Sequence, residues 1–170
     1  MGLGREGLKQ APPLAEVIAR WTPDLVLHSD LRRTRLLALR AARLAGVECI
    51  AAPVWRERNF GDWEGRRWSD IYSQSGDAME GMIHAPDSFR PGSGETTSEL
   101  SRRAMDALLG LPKGRLAIIT HAGPIACILG MMKGLPVAKW YDLAPLPGGM
   151  VALDEAALSP PDFPCRPEGR

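Results

Sequence analysis

Two segments of this chain share a pattern suited to holding an anion. Leu25-Val-Leu-His-Ser29-Asp30-Leu-Arg-Arg33 and Leu116-Ala-Ile-Ile-Thr-His121-Ala122-Gly-Pro each pass from a short apolar run, through polar residues, into a helix-like sequence. Apolar runs of this length suit buried parallel strands. In an open α/β sheet the crevice outside the carboxyl ends of such strands is where ligands bind. Each helix starting there offers unpaired N–H groups and the positive end of its dipole, which favour negative charge. Arg33, in the first turn of one helix, and His121, at the mouth of the other, would add charge-assisted donors, with Ser29 and Ala122 beside them. Singly these residues say little: a helix arginine is usually solvated surface, and a lone histidine is more often structural. Jointly they describe a cradle for a phosphoryl group.

A third segment, Trp55-Arg-Glu-Arg-Asn-Phe-Gly-Asp-Trp-Glu-Gly65, could bring a carboxyl to that cradle. A phosphoester's leaving oxygen is a poor alkoxide, so a positioned acid that protonates it speeds departure. Glu57 is the candidate, although a glutamate between Arg56 and Arg58 also reads as an ion-paired surface residue, and Glu64 is a second choice. A fourth segment, Pro91-Gly-Ser-Gly-Glu95-Thr-Thr, is a glycine turn entering a helix with Glu95 in a supporting position. The three histidines are far apart, and none stands at ligand spacing from a cysteine, so no metal or cofactor is expected.

The elements that must position these groups follow from periodicity. Leu8, Ala11, Leu14, Val17, Ile18 and Trp21 recur at helical spacing over 7–21, with Pro12-Pro13 required in the first turn or else breaking the segment. A strand at 25–27 ends at His28. Ser29 and Asp30 are candidate caps for a helix over 31–45 that Gly46 stops, and a strand over 47–51 completes a parallel crossover. Residues 53–90, rich in Trp, Gly and Arg, read as an excursion above the sheet. A helix over 95–111, a strand over 115–120, a helix over 123–133 and a last strand over 148–153 follow. The expected architecture is α/β, a three-layer sandwich whose mostly parallel sheet is flanked by helices. One domain would occupy 1–158, and 159–170, with four prolines, would be a disordered tail.

Composition narrows the function. With 170 residues, 45% hydrophobic and 24% charged, the chain is an ordinary globular domain. A net charge of +1 argues against a nucleic-acid or polybasic membrane surface, so any anion site is local. Three widely spaced cysteines and the lack of a signal-like or membrane-spanning run point to a reducing, cytoplasmic setting. Oligomeric state is not legible here.

In order and approximate spacing, these segments resemble the histidine phosphatase, or phosphoglycerate mutase-like, superfamily over nearly the whole chain. The resemblance puts a phosphate-binding arginine at Arg33, the proton donor at Glu57, the family's Gly-Glu-Ser step at Gly94-Glu95-Thr96 and the second catalytic histidine at His121. It implies a phosphohistidine mechanism on a small phosphorylated metabolite. The family's nucleophile lies in an Arg-His-Gly triplet on a first strand, and Met1 to Arg5 contains no histidine. The expectation is therefore that this strand is missing and that the chain as given is impaired or inactive. His28 would be a poor substitute, since in-line attack tolerates little misplacement. The run Trp63-Glu-Gly-Arg-Arg-Trp-Ser-Asp-Ile71 most resembles the α-ribazole phosphatases of cobalamin biosynthesis. General sugar-phosphate phosphatases, phosphoglycerate mutase-like enzymes and an inactive phospho-ligand-binding module remain open. Trp55, Phe60, Trp63 and Trp68 could stack on a base or simply anchor the excursion.

Overall fold

The computed structural model of the chain describes residues 4–154. Helix α1 (Arg5–Arg20) leads into strand β1 (Leu25–His28), helix α2 (Arg32–Ala45) and strand β2 (Glu48–Ala51). After the excursion, which holds the short helices α3 (Trp68–Ser75) and α4 (Gly81–His84), come helix α5 (Thr97–Leu109), strand β3 (Leu116–Ile119) and helix α6 (Ala122–Met132). The sheet is parallel in the order β2-β1-β3, with β1 in the middle.

Both faces of this sheet are covered, and the reason can be read along the strands. Val26 packs with Ala38 and Ala42 of α2, joined by Cys49, Ala117 and Ile119. Ile118, between Ala117 and Ile119, faces the other way and meets Trp55, Ala104, Met105, Leu108 and Ile128 under α5 and α6. Alternate strand residues thus feed two cores, which makes the three-layer architecture. No helix among the described residues is long and apolar enough to cross a membrane.

Several expected details differ. Helix α1 begins at Arg5, so Pro12 and Pro13 lie inside it instead of in its first turn. Buried Ala11 and Ala15 set its contact face, packed against α2, and that tertiary packing outweighs the amide bonds the prolines cannot make. The N-cap of α2 is Leu31, with no side-chain cap; Ser29 and Asp30 are engaged elsewhere. Gly46 ends α2 at φ 72°, the left-handed stop that glycine favours. Helix α5 starts at Thr97 behind a reciprocal cap, in which Thr96 Oγ1 accepts the Glu99 amide at 3.1 Å and Glu99 accepts the Thr96 amide at 3.0 Å. The segment expected as a last strand, 148–153, is irregular, with Met150 61% exposed. Its apolar residues suit a pleat, but a strand forms only against a partner's ladder, and among the described residues it pairs with none. The expected tail, 159–170, lies outside the described residues.

The excursion is anchored by Trp55, Ile71 and Met82, all buried. Two of its turns pack backbone on backbone: a Cβ on Gly61 would lie 1.9 Å from the Gly92 carbonyl oxygen, and one on Gly94 would lie 2.1 Å from that of Asn59. Only glycine permits this approach.

Candidate active site

All three strands end at one level. His28 stands opposite both Ala51 and Ile119, the Ser29 amide donates to the Ile119 carbonyl at 3.1 Å, and the Ala52 amide donates to the His28 carbonyl at 2.8 Å. The chain therefore leaves the sheet at Ser29, Ala52 and Thr120 along a single edge. That edge brings together the start of α2, the loop after β2 and the start of α6.

Arg33 and His121 meet there although 88 residues separate them. Arg33 Nε donates to His121 Nδ1 at 3.1 Å, and His121 Nε2 lies 2.8 Å from Ser29 Oγ. Because Nδ1 accepts, the proton sits on Nε2, which donates to Ser29; Ser29 in turn donates to Thr34 Oγ1 at 2.8 Å, and Thr34 to the carbonyls of Ser29 and Leu31. This network fixes a neutral imidazole. Burial first, then the guanidinium charges of Arg33 and Arg103, push His121 down to about 4.

Charge placement at α2 is the reverse of what a helix alone would favour. Arg32, Arg33 and Arg35 occupy its first turn and no acidic residue does. Cations at the positive end of a helix dipole are destabilising by a few tenths of a kcal/mol to about 1 kcal/mol each. Asp30, the nearest acid, is ion-paired with Arg56 across the site, an interaction that holds its carboxyl below the usual range. An anion bound between α2 and α6 would reverse this penalty, with the first-turn Ala122 amide, which has no intrahelical acceptor, available as a further donor.

Glu57 reaches the same edge from the loop after β2. Its carboxylate accepts the Arg58 amide at 3.0 Å and the Gly123 amide at 3.4 Å, which places it on the first turn of α6, two residues from His121. A Cβ on Gly123 would lie 2.1 Å from Glu57 Oε1, so this position is open only because residue 123 has no side chain. The loop is held from several sides. Thr120 donates to the Trp55 carbonyl at 2.7 Å, and Arg103 donates to the carbonyls of Val54 and Arg56 at 2.5 and 3.1 Å. Arg103 is itself gripped by both oxygens of Glu95 at 2.8 Å, and the Asn59 amide donates to Glu95 at 3.3 Å.

The structure therefore groups Ser29, Arg33, Glu57, His121 and Ala122 at one edge and sets Glu95 behind them as the anchor of Arg103. It gives Glu64 a local task, accepting the Phe60 amide at 3.1 Å. His28 is buried, its Nδ1 donating to the Ser29 carbonyl. Thr34, Arg58, Arg103 and the need for glycine at 123 are not apparent from the sequence. Thr34 had a faint signal, a hydroxyl on the buried side of the Arg33 turn; Arg103 had none, since it reads as one more helix arginine. Of the four aromatics weighed for stacking, Trp55 is core and Trp63 packs on Phe89 at 6.4 Å between ring centroids, whereas Phe60 and Trp68, in edge-to-face contact at 5.2 Å, border a pocket beside Glu57.

The fold is a parallel three-layer α/β sandwich, with an arginine and a histidine converging at the strand ends. The sequence profile of the histidine phosphatase superfamily (branch 1) matches residues 1–156, and the chain belongs to that family. A probable phosphoglycerate mutase of Yersinia pestis is 29% identical over 134 residues, covering 76% of this chain and 62% of the relative. The chain thus spans somewhat under two thirds of the length of such curated relatives. Among solved structures, a mycobacterial glucosyl-3-phosphoglycerate phosphatase superposes with TM-score 0.72 at 26% identity, covering 84% of this chain and 72% of the other. The α-ribazole phosphatase of Shigella flexneri superposes with TM-score 0.69 at 23% identity over 82% and 71%, a likeness of fold.

Proposed function

We propose that the protein is a phosphomonoester hydrolase whose phosphoryl-gripping and proton-donating groups are Arg33, His121 and Glu57, acting on α-ribazole 5′-phosphate. The observation that carries this reading is the Arg33–His121 contact, which two separate strands deliver to two helix N-termini with no acid in the first turn of α2.

On such a substrate, Arg33 turns from Nδ1 of His121 to the equatorial oxygens. His121, protonated by the dianion's field, donates to them as well. Neutralising that spreading charge is the larger part of catalysis in phosphoryl transfer. Glu57 gives its proton to the ester oxygen as the P–O bond breaks, so the alcohol leaves neutral. Water finally takes the phosphoryl group and yields inorganic phosphate. By family resemblance a histidine receives the phosphoryl group in between. Among the described histidines, His28 is committed to the Ser29 carbonyl, and His84 is exposed near Glu80. That supports a second reading, a module that binds phosphorylated ligands without turning them over. The choice of α-ribazole phosphate rests on the Trp63–Ile71 segment; the likeness to a probable phosphoglycerate mutase and to a glucosyl-3-phosphoglycerate phosphatase supports phosphoglycerate-type esters as the competing substrates.

Phosphate release from α-ribazole 5′-phosphate, 3-phosphoglycerate and p-nitrophenyl phosphate, measured alongside vanadate binding, tests this. Release from α-ribazole phosphate, lost in His121→Ala and, for alkyl esters more than for p-nitrophenyl phosphate, in Glu57→Gln, is the expected result. Vanadate binding without turnover favours the module, and neither binding nor turnover refutes both readings.

A further inference from the structure

The polar relay behind His121 has a direction, and Thr34 sets it. Ser29, Thr34 and His121 are all buried, so their protons are placed by one another and by the backbone. Thr34 carries one hydroxyl proton, and its Oγ1 lies 2.7 Å from the Ser29 carbonyl oxygen, 2.8 Å from that of Leu31 and 2.8 Å from Ser29 Oγ. Carbonyl oxygens only accept. Were the Thr34 proton to turn to Ser29 Oγ, the Thr34 lone pairs would face two carbonyl oxygens. The proton therefore points to the carbonyls, and Thr34 offers Ser29 a lone pair. The Ser29 proton goes there, which leaves Ser29 Oγ only a lone pair for His121 Nε2 at 2.8 Å, so Nε2 must be the protonated nitrogen.

We infer that Thr34 is a positioning residue: acting through Ser29, it holds the His121 proton on Nε2, so that a bound phosphoryl group meets the bare Nδ1 and His121 grips it only as a cation. The inference rests on the phosphomonoester reading and adds to it the residue that decides how His121 is charged. Arg33 cannot do this by itself. Its Nε–H makes Nδ1 an acceptor only while it stays 3.1 Å away, and it departs when it turns to the equatorial oxygens. Without Thr34, the buried Ser29 hydroxyl would have one acceptor left, Nε2. A neutral His121 could then carry its proton on Nδ1 and donate to the anion without gaining charge. Thr34 bars that arrangement, and a lone pair facing a phosphoryl oxygen is relieved only by a proton. The charges acting on His121 are those of Arg33 on α2 and Arg103 on α5, both opposing that proton, while Glu57 on the loop after β2 is turned to the amides of Arg58 and Gly123. The dianion supplies the field that favours protonation.

Spectra of the full chain labelled with ¹⁵N-histidine read the tautomer directly at neutral pH, the His121 signals being those lost in His121→Asn. In Arg33→Met, where nothing donates to Nδ1 from the arginine side, His121 is expected to remain the Nε2–H tautomer. Adding Thr34→Val should raise the ratio of Nδ1–H to Nε2–H by about tenfold or more, the scale of one redirected buried hydrogen bond, and adding Thr34→Ser instead should leave it unchanged. A merely structural Thr34 would alter stability and leave the tautomer alone. An Nδ1–H tautomer already present in Arg33→Met, or a ratio unmoved by Thr34→Val, overturns the relay, and the first of these outcomes does not depend on the valine variant folding. Calorimetry with sulfate at pH 6 then reads the consequence: proton uptake per sulfate should fall to about half or less in Thr34→Val and be restored in Thr34→Ser. Unchanged uptake in Thr34→Val overturns the role given to Thr34. Failure of the unmodified protein to bind sulfate overturns the phosphoryl site instead, and the spectra, which need no ligand, keep the two failures apart.

Discussion

Anion binding at this site should consume one proton, and His121 should be the group that takes it. Its Nδ1 accepts from Arg33, and burial together with the Arg33 and Arg103 charges holds it at about 4, so at neutral pH it is almost entirely uncharged. A tetrahedral dianion about 4 Å away gains on the order of 8 kcal/mol from a unit charge opposite it at an effective dielectric of 20, roughly six decades in affinity. Protonating His121 adds that charge and also frees Arg33, since an imidazolium Nδ1–H no longer accepts from Nε. Sulfate is the appropriate probe, because it stays a dianion throughout the range. Its affinity should rise close to tenfold for each pH unit between neutrality and about pH 5. Calorimetry in buffers of different ionisation enthalpy should show nearly one proton taken up per sulfate at pH 6. In His121→Asn, which can still bond to Ser29 and Arg33, both the slope and the uptake should vanish. A flat profile in the unmodified protein, or an unchanged slope in His121→Asn, would refute the reasoning.

Other consequences follow from the same geometry. Gly123→Ala should leave thermal stability within about 1 kcal/mol, since alanine is the better helix former and the atom displaced is the end of the Glu57 side chain. Turnover of alkyl phosphates in that variant should drop about a hundredfold through misplacement of the acid, with p-nitrophenyl phosphate spared. Ser29→Ala, at a fully buried position, strands the His121 Nε2–H and should cost about 1–3 kcal/mol in urea unfolding. Arg103→Ala leaves the largely buried Glu95 carboxylate without its partner and should cost roughly 2–4 kcal/mol by the same measurement, loosening the Glu57 loop with it. His121 also sets part of the acid limb of stability. Its folded value lies below the ordinary 6.5, so the unfolded chain binds the proton more readily, and the contribution is full above pH 6.5 and lost as pH falls towards 4. The amount is up to about 3 kcal/mol, and urea midpoints of His121→Asn against pH should fall less steeply over that window.

What the sequence determined by itself was the local part: two apolar runs short enough to be parallel strands, each followed by a helix, with Arg33 and His121 where those helices begin. Strand period and helix period are written in neighbouring residues, so those elements and the edge they share are legible. Glu57 was legible only as a candidate, because a glutamate between two arginines reads equally well as surface. Tertiary structure alone decided that its carboxylate rests on the first turn of α6, through a gap that Gly123 leaves open. It also decided that Ser29 and Asp30 would not cap α2, since their partners, His121 and Arg56, lie 92 and 26 residues away. Residues 148–153 look like a strand and are not one, and Arg103 looks like any helix arginine yet holds the acid's loop. In each case the deciding partner is distant along the chain, and periodicity carries no information about contacts at that range.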